Sequence, residues 1–208
     1  MSLIEFLSIF PCIWCLLYAN ESNDFCKKDK YLIINKIAAL FHKQWQQVYR
    51  QQNPNIKTNF KKTLDKDFID NIKMTIKFNN EQFKNVSNEL YLYLSIDGKI
   101  GRSLTSPDTY YVDILNMDYS ELPIDWQNEN RATATAGFDI VIQTLQHGEN
   151  IDTVIEELAG QIHELWISRN NSTINQELQK PYQELGDIEK EKDRNVIRIA
   201  NQIIEQDC

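Results

Sequence analysis

The chain offers three histidines, His42, His147 and His163, and four cysteines among its 208 residues. Imidazole-based acid–base or metal chemistry therefore has few places to sit. The pair His163-Glu164 has the look of a zinc-protease helix. That chemistry needs a second histidine four residues after the first, so that both rings share one helix face. Position 167 is Ile167, so no metal is expected. The same pair serves equally to orient its helix or to bond the turn at Pro181-Tyr182. Asp125 and Glu129 stand four apart, on one helix face. Paired carboxylates do acid–base work only where their surroundings split their pKa values, and nothing in the sequence does that, so they read as cap and surface. An enzyme, in particular a hydrolase, would have to use Glu164 or Glu129 as base in a cleft that raises its pKa. Trp166 and Arg169 allow two readings. Trp166 is either a core tryptophan packed near Tyr182 and Leu185, or a stacking platform for an adenine-like ring, with Arg169 forked onto phosphate. No Gly-x-Ser-x-Gly elbow, P-loop, dinucleotide fingerprint or calcium loop is present. No cofactor is expected.

The elements that must hold these residues are mostly helices. Ile33, Ile37, Phe41, Trp45 and Val48 recur at helical steps from Asp29 to about Gln52, and Pro54 follows. Residues 55–80 are Lys- and Asn-rich, with a short helix expected over Asp65–Ile72. Leu90 to Ile100 carries β-formers into Asp97-Gly98, a hairpin signal, and Tyr110–Leu115 reads as a further strand. A helix is expected with Asp125 as its cap after Pro123, an apolar face of Ala134, Phe138, Val141 and Leu145, and an end at Gly148. Asn150 or Asp152 caps the next. Its stripe is Ile151, Val154, Ile155, Leu158, Ala159, Ile162 and Trp166. Arg169–Thr173 reads as a loop. Asp187 is expected to cap the last helix, with Glu189 and Glu191 in its first turns and Val196, Ile199, Ala200, Ile203 and Ile204 toward the core. The expected fold is mainly α: an antiparallel helix bundle with a small β-hairpin insertion in the middle region.

The balance of 22 basic against 30 acidic residues, net −8, argues against wrapping nucleic acid. Residues 1–19 are mostly apolar, with Glu5 their only charge, and run into the polar stretch Asn20–Asp24. They read as a secretory signal peptide, with a membrane anchor or a packed helix as alternatives; Pro11 sits badly in the middle of a helix. After residue 20 no stretch is apolar enough to span a bilayer. Cleavage would remove Cys12 and Cys15 and leave Cys26 and Cys208 near opposite chain ends, where a disulfide between them follows if the protein is secreted. Without cleavage a cytoplasmic location is expected. The chain divides into 1–19, a region 20–110 holding the first helix and the insertion, and a helical unit 111–208.

Within that unit the order of motifs is specific. Ile162-His163-Glu164-Leu165-Trp166 is followed, after a polar loop, by Pro181-Tyr182-Gln183-Glu184-Leu185 and then by Glu189-Lys190-Glu191-Lys192-Asp193-Arg194. This resembles the RyR domain, the small repeat of the ryanodine-receptor cytosolic shell that also occurs as short bacterial and phage proteins. The likeness covers about residues 150–205. Glu121–Asn130, with Trp126, looks like what precedes the domain in the stand-alone proteins. The segment between the motifs, Ser168–Lys180, lacks the Trp, Tyr and Gly usual in receptor repeats. The resemblance implies a non-catalytic, mainly helical module that binds a protein partner or a small nucleotide-like ligand. His163, Glu164, Pro181, Leu185, Glu189, Asp193 and Trp126 then serve as structural motif. The ligand would lie between the last two helices against Trp166, Arg169, Tyr182 and Arg194.

Overall fold

A computed structural model describes residues 29–87, 90–170 and 176–208. The apolar run 1–19, Cys12, Cys15, Cys26 and the end of the Arg169–Thr173 loop lie outside the described residues. Helix α1 (Lys30–Gln52) starts on Asp29, whose carboxylate accepts from the Tyr31 N–H. Strand β1 (Phe60–Lys62) leads to α2 (Lys66–Thr75), capped by Asp65. Strands β2 (Phe78–Ser87), β3 (Leu90–Ser95), β4 (Ile100–Ser103) and β5 (Tyr110–Asp113) follow, then helices α3 (Ile124–Gln146), α4 (Ile151–Asn170) and α5 (Asp187–Asp207). The molecule is mostly helical, with a small antiparallel sheet.

The sheet is more than the hairpin and the one further strand, Tyr110–Leu115, expected of the middle region. Five strands pair in the order β1-β5-β4-β3-β2. Short strands with irregular patterning, such as Phe60-Lys61-Lys62, leave little period for sequence reasoning to detect. Between β3 and β4, Gly98 takes φ +72°, a conformation only glycine adopts cheaply. Ile72, Ile100 and Tyr110 are buried where α2 covers the sheet, with Phe68, Ile69 and Phe78 packed around them.

Helices α1, α3, α4 and α5 share one core. Ile33, Ile37, Val141, Ile162, Val196, Ile197 and Ile204 have at most 2% of their surface exposed. Burying each such side chain contributes about 1.5–3 kcal/mol. The four-residue link between α3 and α4, with Arg169 near the end of α4 reaching back to Thr133 midway along α3, makes these two helices antiparallel. Gly148 ends α3 at φ +73°, with the Gly148 N–H donating to Leu145 and the Glu149 N–H to Thr144. Asn150 receives the Asp152 N–H and opens α4.

Two expected caps are corrected. Asp125 lies inside the first turn of α3, behind Pro123 at the cap position. Its carboxylate reaches across to β1–α2 instead, accepting from Thr63 Oγ1 (3.0 Å) and the Leu64 N–H (2.6 Å). Asp65 returns the exchange: one oxygen caps α2 at Phe68 N (3.0 Å) and the other takes the orphan Ile124 N–H of α3 (2.8 Å). At α5 the cap residue is Gly186, and Asp187 is the first helical residue, with no side-chain cap bond.

Candidate functional site

The motif residues meet where α4, the 180–185 bend and α5 come together. On α4, Glu156, Ala159, Gly160 and His163 repeat at three- and four-residue steps, so they face one way. The bend lies across that face. Tyr182, 4% exposed, packs with Ala159 and Leu185, and its ring runs beside Gly160. Pro181 holds φ at −51° and leads into the short 3-10 turn Tyr182–Glu184. Across it, α5 brings Asp193 and Arg194.

Each polar group in this seam has a partner. The His163 side chain is 4% exposed, with Nε2 2.9 Å from the Lys180 carbonyl oxygen and Nδ1 3.4 Å from Asp193 Oδ2. Burial, reinforced by the charge of Glu189 and opposed by Lys192, raises Asp193 to about 7. Arg194 forks onto Glu156, Nε to Oε1 at 2.6 Å and Nη2 to Oε2 at 3.0 Å, and also reaches Glu191. Its hydrogen bonds hold Glu156 below the usual carboxylate range. Tyr182 donates its hydroxyl to the same Glu156 (3.1 Å), and burial together with that bond pushes it up to about 12. Glu189 pairs with Lys192 at 2.6 Å. Glu156 is more than half exposed, so the arginine fork is a surface clamp worth about 1 kcal/mol or less. The sequence reading passed over Glu156; its place two turns before His163 on the same face was the available signal.

The four residues expected to line one ligand pocket do not converge. Tyr182 and Arg194 are engaged by Glu156. Arg169 lies on the other side of α4, donating to Thr133 Oγ1 of α3 at 3.1 Å. Trp166 is half-buried and stacks on the His163 ring, centroids 6.2 Å apart and planes 22° apart, rather than joining the core. Glu129 and Glu164 are both exposed, so neither sits in the enclosed cleft a catalytic base would need. Trp126 is half-buried beside Leu122 and Met117 and donates its indole N–H to the Lys62 carbonyl.

A groove of about 190 Å³ opens at the α3–α4 turn instead, with Gln143, His147, Glu149, Glu157 and Gln161 over Leu158. A small void of about 20 Å³ lies between α1 and α5, at Phe41, Trp45 and Lys192. None of the four expected ligand residues borders either cavity. Among the described residues no three His, Cys, Asp or Glu side chains are placed to hold a metal ion, and no helix is long and apolar enough to cross a membrane. Cys208 is disulfide-bonded, and its partner lies outside the described residues.

No family model, curated protein or solved structure matches the chain. The likeness to RyR domains rests on the motif residues alone.

Proposed function

We propose that this protein is a non-catalytic binding module whose helical unit, residues 111–208, is RyR-like and acts by presenting surface to a protein partner. The supporting observation is how the motif residues are used. His163 bonds the Lys180 carbonyl and faces Asp193 at 3.4 Å, while Tyr182 and Arg194 are turned to Glu156, with Arg194 also on Glu191. They hold two helices and a bend in register, which leaves binding to the surface around them. The nucleotide reading narrows to Trp166 and Arg169, one helical turn apart, with the tryptophan half-buried and the arginine exposed. A thermal-shift series with AMP, ADP and ATP separates the two readings, because a ligand that binds only the folded state raises the melting temperature with its concentration. No shift is expected. A concentration-dependent rise that R169A abolishes would replace the partner-protein reading with the nucleotide one.

A second reading, a secreted protein that contacts its partner through the β3–β4 turn, is favoured by Ile96, 84% exposed beside Asp97-Gly98. Met74, near the end of α2, is a second large apolar side chain left 80% exposed. A disulfide at Cys208 fits an oxidising compartment, and Cys26 is the partner that cleavage after the apolar run would leave. Secretion of the full chain with residues 1–19 removed supports this reading; a mature protein that retains them withdraws it.

A further inference from the structure

His163 is asked for two donations and, when neutral, has one N–H to give. Its Nε2 faces the Lys180 carbonyl oxygen at 2.9 Å, and a carbonyl only accepts, so that nitrogen must carry a hydrogen. In a neutral ring Nδ1 then presents a lone pair, and what it meets at 3.4 Å is the carboxylate of Asp193. Two lone pairs facing each other, with side chains 4% and 16% exposed, repel more strongly than they would in open solvent. One additional proton on Asp193, giving a carboxyl that donates to Nδ1, removes the conflict.

We infer that Asp193 is held as a carboxyl that donates to His163 Nδ1, and that loss of this proton as pH rises loosens the 180–185 bend against α4, leaving Tyr182 as its remaining tie. Once it is gone, the remaining N–H can serve Asp193 or the Lys180 carbonyl, not both. Turning it to Asp193 breaks the only histidine bond to the bend among the described residues. The charges around the pair leave the proton in place below neutrality. On α5, Glu189 disfavours a second negative charge while Lys192 opposes it from its own pairing with Glu189. Arg194 is turned to Glu156 and Glu191, and Lys190 lies over the Tyr182 ring. On α4, Glu164 points into solvent and Glu156 is committed to Arg194 and Tyr182. From α1, Phe41, Gln44, Trp45 and Val48, all uncharged, line the small void beside Lys192 and Asn195.

Global stability is a poor reporter of this device. A carboxyl raised to about 7 adds stability below its unfolded value near 3.8 and loses it as pH rises through 7. That slope does not say which part of the molecule responds, so the test is local, on the full chain. Carbon-13 NMR of the Asp193 carboxyl between pH 4 and 9 is expected to show its step between pH 6 and 8. Hydrogen exchange at the Glu184 and Leu185 amides, corrected for intrinsic rate, is expected to quicken severalfold across the same step. In D193N the asparagine amide can donate to Nδ1 with no carboxyl proton to lose, and the quickening should vanish. An Asp193 step near pH 4 in the unaltered protein overturns the proposal, as does a D193N chain whose bend loosens with pH just as the parent does.

Discussion

Asp65 carries two helix starts on one carboxylate, which sets how its substitutions should rank. One oxygen caps α2 and the other satisfies the first N–H of α3, 59 residues away. Losing a cap costs about 1 kcal/mol, so D65A should lower the unfolding free energy by about 2 kcal/mol in urea titration. D65S keeps the local cap at Phe68 N but cannot span to Ile124, and should lose about half as much. Equal losses would show that only one of the two bonds counts. His42 gives a residue-scale pH dependence. Burial pulls its pKa below the usual histidine value, against the bond its ring makes to the Met117 carbonyl. The unfolded chain then binds a proton near pH 6.5 that the folded chain resists, so this contribution is full above that pH and fades as pH falls. The melting temperature is expected to drop from pH 7 to pH 5, and the drop should shrink in H42Q.

At the scale of elements, the helices were legible because their apolar positions repeat at 3.6 residues, and α1, α3, α4 and α5 stand within a few residues of where Ile33–Ile37, Ala134–Val141, Ile151–Ile162 and Val196–Ile204 placed them. What the hydrophobic pattern could not show is the polar stripe on α1. His42 and Gln46 are buried, and with Arg50 they bind the carbonyls of Met117, Ile114 and Leu115, pinning the segment after β5. A rule that seeks apolar faces passes over a face whose task is to satisfy backbone groups. The two misassigned caps failed for a related reason: Asp125 was paired with its nearest helix start, and its true partners lie on β1–α2. Close packing of α3 on α5 turns on Gly137. A methyl there would come 2.7 Å from Val196 Cγ1 and 3.4 Å from the Val196 carbonyl oxygen. Alanine improves helix propensity by about 0.5–1 kcal/mol, but overpacking a buried contact costs about 1–3 kcal/mol. G137A should therefore destabilise, and G137A with V196A should cost less than the two singly measured losses together. Strict additivity in chemical denaturation would mean that the helices simply move apart.

On the whole molecule, the seam, the shared core and the sheet are joined by contacts that cross long stretches of chain. Lys36 on α1 meets Asp207 at the end of α5 at 2.7 Å, so the last turn of the protein is anchored on its first described helix. The disulfide at Cys208 follows directly after that anchor. Sequence reasoning reached Cys26 as its partner only by way of the apolar leader, because spacing alone cannot fix connectivity. Three cysteines remain as partners in the uncut chain, all within residues 1–28, and one remains once residues 1–19 are gone. A bond from Cys26 would close nearly the entire mature chain into a loop, which restrains the unfolded ensemble strongly, and such bonds typically contribute about 2–4 kcal/mol. The expected outcome is that the chain, once cleaved after residue 19, takes up no alkylating reagent at Cys26 or Cys208 until it is reduced. The C208S variant should unfold at lower denaturant in the oxidised state and match the parent once both are reduced. Labelling of both thiols without reductant would break that closure, and leave Lys36 and the α5 core residues to hold the terminus alone.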